Sequence, residues 1–241
     1  RGVYKGDPRE TGIAYGDAVG STIQAAGRSI AAFLAETLLS CGGQIIPPPG
    51  YFETVFRHVR AAGGVCILDE VQVGFGRVGS HFWAFEAYDV VPDIVVLGKP
   101  IGNGHPIGAV VCTREIAQSF EALGMEFFST FGGNSVACAI GQSVLDVIDN
   151  EGLQEHARTT GAYFFDALCE LERNHTCIGD IRGRGLFLGI DLVEHDGITP
   201  ATALAGKVVE VLRERRILTG TDGPSKNVIK IKPPLVVTQA D

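Results

Sequence analysis

The stretch Ile67–Gly79 reads ILDEVQVGFGRVG, and it decides how the rest of the chain is read. The preceding GVCI continues into Leu68 as a short apolar run, the signature of a strand buried on both faces. That run ends in two adjacent carboxylates, Asp69 and Glu70, and then enters a glycine-rich turn. A buried carboxylate costs several kcal/mol (order of magnitude) unless a partner compensates it. Either the two acids are solvated at a strand end, or a cation meets them there.

Working outward, Ile30–Ala35 and Ile94–Leu97 read as further buried strands, and Pro106–Cys112 as another. Between the first strand and Val65–Leu68, the segment Tyr51–Ala62 has helical spacing, with Phe52, Val55, Phe56 and Val59 on one face. Gly63 and Gly64 stop that helix. Strand, helix and strand at these spacings predict an α/β domain whose sheet is at least partly parallel. Asn134–Asn150 predicts a long amphipathic helix. Beyond it the pattern becomes helix (Leu153–Arg173), strand (Gly185–Val193), helix (Ala201–Arg215) and strand (Val228–Ile231). We therefore expect part of a large α/β domain over 1–150 and an incomplete small α+β domain over 151–241.

Composition narrows the partners. A chain of 241 residues with a formal charge of −8 is poorly suited to nucleic acid or anionic membranes as its main partner. Cys66, Cys112 and Cys138 lie in apolar runs, and the six cysteines form no C-x-x-C pair. This predicts small buried hydrophobes in a reducing, intracellular compartment (cytoplasmic or mitochondrial), with no disulfide framework and no metal site. No signal peptide or membrane span is visible in the sequence, since Glu36 interrupts the longest apolar stretch. The first residue is Arg1, so the chain is expected to be a piece of a longer protein.

Gly74–Gly79 (GFGRVG) matches the dinucleotide fingerprint by letter. That mechanism needs the first glycine directly after the strand and a helix start at the last. Here DEVQV intervenes and HFWAF carries no helix signal, so a glycine turn of another kind is expected. The more informative residue is Lys99, just past the end of Ile94–Leu97, as Asp69 is just past Val65–Leu68. Ligands of open α/β sheets gather at that carboxyl edge. The two residues could simply pair or face water. A glycine-flanked lysine at an apolar strand end is also a Schiff-base candidate, because a desolvated amine loses its charge readily.

ILDEVQVGFGRVG, with Lys99 of VVLGKPIGNGHPIGAVV following 30 residues after Asp69, resembles the pyridoxal-phosphate signature of the class III aminotransferases. FFSTFGGN (Phe127–Asn134), IRGRGLFLGIDL and IKIKPPLVV extend the resemblance over nearly the whole chain. Within the family, SCGGQIIPPPGYF, GMEFFSTFGGN and NVIKIKPP are most similar to the phospho-lyases acting on ethanolamine phosphate or phosphohydroxylysine. The resemblance implies a fold-type I enzyme with pyridoxal 5'-phosphate, acting as a homodimer with shared active sites on a small phosphorylated amine or amino acid. It implies that Asp69 faces the pyridine nitrogen, which is then the missing cation, and that Lys99 forms the Schiff base and moves the substrate proton. Gln72 matches the residue bonded to the ring's phenolic oxygen. Thr130 matches a threonine reaching the cofactor phosphate of the other subunit.

Several residues receive plainer readings. Glu70 braces the turn, and Arg77 is structural or substrate-facing. His105 belongs to a loop, Phe82, Trp83 and Phe85 to packing, and His58 to the polar side of its helix. Arg182 and Arg184 are expected to be solvated, with substrate phosphate as the lesser alternative.

Two departures from the family pattern bear on substrate. Relatives handling ω-amino acids often carry a glutamate that pairs with the arginine gripping the substrate carboxylate; the matching positions here are Cys41 and Lys230. A bidentate fork has become a point charge, which favours a substrate with a differently placed anion. Lys232 shares the face of Lys230 if the register differs by two. The upstream glycine-serine loop that cradles the cofactor phosphate has no counterpart in these 241 residues, so this segment alone is expected to bind the cofactor weakly or not at all. Elimination of phosphate is the preferred chemistry. An ordinary transaminase and a truncated non-catalytic relative remain the alternatives.

Overall fold

The computed structural model describes residues 3–124 and 126–241, so Arg1, Gly2 and Met125 of the GMEFF motif lie outside the described residues. The chain forms two compact units. The first comprises the chain up to Thr37 together with Pro47–Gly74 and Trp83–Val147; the second comprises Leu38–Ile46, Phe75–Phe82 and Ile148–Asp241.

The first unit is built on a four-stranded sheet in sequence order, β1 (Ala32–Glu36), β2 (Val65–Asp69), β3 (Ile94–Leu97) and β4 (Ala109–Cys112). β1, β2 and β3 are parallel, and β4 returns antiparallel to β3. Helix α1 (Pro8–Ala25) packs on α2 (Tyr51–Ala61). The contact stripe on α1 is Gly12, Gly16 and Gly20: a Cβ on Gly16 would stand 2.6 Å from Thr54 Cβ, and one on Gly20 2.7 Å from the His58 ring. Because glycines carry this contact, α1 shows little apolar periodicity, and the sequence pattern leaves it unassigned. His58 also meets Asp17 of α1, Nε2 to Oδ1 at 2.7 Å, so its polar face joins the two helices. The buried face of α2 is the expected one: Phe52, Val55, Phe56 and Val59. Helices α3 (Arg114–Glu121) and α4 (Ser135–Asn150) follow β4.

The second unit contains α5 (Leu153–Asn174), β5 (Ile178–Arg184), β6 (Phe187–Leu192), α6 (Thr202–Glu214), β7 (Gly220–Asp222) and β8 (Val228–Ile231). Its sheet runs β5-β6-β8-β7 and every pairing is antiparallel. Leu192 and Ile229 pack with Ala201 and Ala205 at the start of α6, whereas Leu168 of α5 packs with Ile181 and Leu188. The fold is the α/β class expected, with a mixed sheet and α+β content after it. No helix among the described residues is long and apolar enough to cross a membrane.

Four sequence expectations are corrected. HFWAF carries no helix pattern, yet Ala84–Tyr88 forms a 3-10 helix; its first amides are held by a carboxylate from elsewhere in the chain, described below. Cys66 is buried, but Cys112 and Cys138 are exposed; Cys112 ends the edge strand β4, which presents Val110 and Val111 to solvent as well. The strand β5 has no apolar signature in the sequence, because IRGR reads as polar. Arg182 is not solvated: it bonds Asp180 and Asp191 and donates from Nε to the Gly43 carbonyl at 2.8 Å.

Candidate active site

The first unit brings Asp69 and Lys99 to one edge. Asp69 ends β2 and pairs in parallel register with Val96 of β3, and Leu97 and Gly98 lead directly to Lys99. Parallel pairing makes both strands finish on the same side, so the acid and the amine emerge from adjacent strand ends. Asp69 is half-buried, and Oδ1 accepts the Val71 N–H at 2.8 Å. Lys99 is exposed and has a φ of 23°, a backbone conformation rare for side chains other than glycine and concentrated at functional sites. Gln72 sits half-buried in the turn that follows Asp69. Thr130 is exposed on the segment between α3 and α4, beside Phe127, Phe128 and Phe131, and forms no hydrogen bond to that edge among the described residues.

Glu70 resolves half of the problem posed by the paired acids. It is fully buried, and no cation among the described residues meets it. Its carboxylate accepts the Thr37 hydroxyl at 2.6 Å, the Ala84 N–H at 2.9 Å and the Phe85 N–H at 3.1 Å. These neutral donors gather the end of β1, the end of β2 and the start of the 3-10 helix around one side chain. Burial pushes the Glu70 carboxyl up to about 7, against the lowering pull of the three donors. Its bracing role is thus broader than the turn. Asp69, one residue earlier, has a single N–H donor among the described residues and is the carboxylate with capacity left for a cation.

The second unit gathers the remaining candidates. Lys230 Nζ lies 3.3 Å from Asp222 Oδ1. The other oxygen of Asp222 accepts the Gln44 side-chain N–H at 2.9 Å, and Gly223 N–H donates to the Cys41 carbonyl at 3.0 Å. Lys230 and Cys41 are therefore joined through the Asp222-Gly223 dipeptide. Lys232 lies instead over the Phe187 ring, 5.4 Å from its centroid. Sequence reasoning missed Asp222 and Gln44, whose mutual bond joins positions 178 apart in the chain. Arg77 takes the structural of its two readings: Nη1 donates to the Leu186 and Pro233 carbonyls at 3.1 and 2.8 Å, and burial lowers its pKa.

A lysine and an under-occupied carboxylate at the carboxyl edge of an α/β sheet are the parts used to hold a pyridine-based carbonyl cofactor. The sequence profile of the aminotransferase class-III family matches residues 9–241. The chain belongs to that family, whose enzymes depend on pyridoxal phosphate. More particularly, it is 55% identical over 213 residues to a Drosophila melanogaster protein named alanine-glyoxylate aminotransferase 2-like, covering 88% of this chain and 43% of the relative. It is 51% identical over 212 residues to the Caenorhabditis elegans ethanolamine-phosphate phospho-lyase homolog 1, covering 86% of this chain and 45% of the relative. Among solved structures it is similar to a phospholyase from Arthrobacter in complex with phosphoethanolamine, with a TM-score of 0.91 and 43% identity, covering 99% of this chain and 57% of that one. The chain spans less than half the length of the two curated relatives.

The residues present fit the family's cofactor. The one-donor, half-buried carboxylate of Asp69 suits a protonated ring nitrogen, and the exposed amine of Lys99 suits a carbonyl carbon.

Proposed function

We propose that the whole protein is a pyridoxal-phosphate-dependent phospho-lyase that eliminates phosphate from a small phosphorylated amine such as ethanolamine phosphate or phosphohydroxylysine. The observation that carries this reading is the Cys41–Lys230 combination, tied through Asp222-Gly223, at the positions that the sequence resemblance matches to the glutamate and carboxylate-gripping arginine often found in relatives handling ω-amino acids. A lysine point charge suits the compact dianion of a phosphate monoester and loses the planar fork that favours a carboxylate. Similarity to the phospholyase and to the phospho-lyase homolog supports it.

Bound cofactor supplies an electron sink for the carbon bearing the amine. In this reading Asp69 faces the ring nitrogen and keeps it protonated, and Gln72 bonds the ring's phenolic oxygen. Lys99 would hold the cofactor, and its amine would take the proton from the amine-bearing carbon of the substrate. The bond from the adjacent carbon to the phosphate oxygen then breaks, and its electron pair leaves with phosphate. Water completes the reaction, giving an aldehyde and ammonia. Lys230 receives the phosphate, with Lys232 as second choice, and Thr130 reaches the cofactor phosphate of a partner subunit in a homodimer.

A second reading, transamination, is favoured by the 55% identity to the Drosophila relative. The same Lys99 would then move the proton for amino transfer, with no departure of phosphate. Release of inorganic phosphate from ethanolamine phosphate, measured beside keto-acid-dependent amino transfer, separates the two. Phosphate release without a keto acid supports the lyase; amino transfer with no phosphate release overturns it. Lys230→Arg should move activity, if anywhere, toward carboxylated amino donors.

A further inference from the structure

Lys230 is not a lone cation. Its ammonium lies 3.3 Å from Asp222 Oδ1, and the Asp222 side chain is only 9% exposed against 39% for Lys230. Asp222 is itself pinned: Oδ2 accepts from Gln44 Nε2 at 2.9 Å, and the same nitrogen donates to the Ser40 carbonyl at 3.0 Å. Gln44 is fully buried, and its Oε1 has no hydrogen-bond partner among the described residues. Rotating Asp222 toward solvent would therefore strip a buried amide of an acceptor as well as its own carboxylate of a donor. The lysine is positioned just as firmly at its root. Its carbonyl accepts the Thr219 hydroxyl, and it pairs in register with Gly220 of β7. Gly220 leaves the lysine stem room to cross the strand: a Cβ there would stand 3.3 Å from Lys230 Cε.

We propose that Asp222 is a positioning residue that tempers the charge of Lys230, setting how tightly the second unit holds phosphate. This rests on the reading of Lys230 as the phosphate-receiving lysine. The pair presents one ammonium whose charge is already partly countered by a fixed carboxylate. A phosphate dianion approaching Lys230 is attracted by the one and repelled by the other. The same group arrives as substrate and departs as product, so an untempered lysine would retain the product. A buried, pinned acid limits that retention without giving up the lysine's direction.

The test is equilibrium binding of inorganic phosphate to the purified, cofactor-loaded protein, by titration calorimetry, for the parent, Asp222→Asn, Lys230→Ala and the double variant. The amide side chain of Asp222→Asn keeps an oxygen for Gln44 but loses the charge. We expect Asp222→Asn to tighten phosphate binding roughly tenfold, about what the loss of one neighbouring like charge at this range produces. Lys230→Ala should weaken binding, and the added Asp222→Asn should then restore little of it. In turnover of ethanolamine phosphate, Asp222→Asn should lower KM and kcat together, the split expected of slow product release. Asp222→Ser, which also keeps an acceptor for Gln44, carries the same expectation if the amide variant does not fold. Unchanged phosphate affinity in the Asp222 variants, with weakened affinity in Lys230→Ala, overturns the tempering role and leaves the phospho-lyase reading intact. Unchanged affinity in both overturns the phosphate assignment of Lys230, and this inference with it.

Discussion

The Thr37 hydroxyl donates a 2.6 Å hydrogen bond to the Glu70 carboxylate, and both residues are fully buried. Thr37 directly follows β1 and Glu70 directly follows β2, so one bond ties two parallel strands at the edge from which Asp69 emerges. Glu70 accepts two backbone amides of the 3-10 helix as well, and its carboxyl stands near 7 because burial opposes its charge.

The sign of the resulting pH effect is definite. Between 4.5, the ordinary value, and about 7, folded Glu70 holds a proton that the unfolded chain has released. Stability contributed by this group therefore falls as pH rises through that window, by roughly 3 kcal/mol in all. Glu70→Gln removes the titration and orphans one amide, costing about 1–3 kcal/mol at pH 5. Denaturant melts at pH 5 and pH 7.5 should show that deficit shrinking as pH rises. A deficit that stays constant, or grows, would show that Glu70 is ionised throughout.

Lys99→Ala in the whole protein should abolish turnover and the visible absorption of bound cofactor. Its position after Gly98 at the sheet's carboxyl edge, with a φ of 23°, motivates the assignment. Retention of both properties in the variant would move the Schiff-base role elsewhere.

Asp69→Asn preserves volume and the Val71 N–H bond but removes the charge. Breaking a buried ion pair costs about 3–5 kcal/mol, so the rate should fall by roughly two to three and a half decades. Steady-state kinetics within a factor of about three of the parent would mean that Asp69 is merely solvated.

Gly161→Ala addresses the second unit. A Cβ on this α5 residue would stand 2.3 Å from the Gly185 carbonyl oxygen, an atom fixed by the β5–β6 turn. Overpacking against backbone should cost about 1–3 kcal/mol or more, despite alanine's better helix propensity. A variant melting at or above the parent temperature would show that the turn yields freely.

The strand runs at Val65–Leu68 and Ile94–Leu97, the apolar face of α2 and the positions of Asp69 and Lys99 at the carboxyl ends of their strands were all legible in the sequence, because each is written in local periodicity and punctuation. So was the family, carried by ordered motifs. What the sequence by itself could not determine is how charge is compensated. Glu70 draws its donors from residues 33, 14 and 15 positions away, and Gln44 reaches Asp222 across 178. The same distance effect hid the 3-10 helix, whose first amides are held by Glu70, and the strand β5, whose Arg182 is satisfied by Asp191 and Gly43 rather than by water. Hydrophobic pattern is a property of neighbours in sequence. Satisfaction of a buried polar group is a property of neighbours in space, and only the tertiary structure decided that Glu70 is met by three neutral donors from distant residues while Asp69 accepts the nearby Val71 N–H.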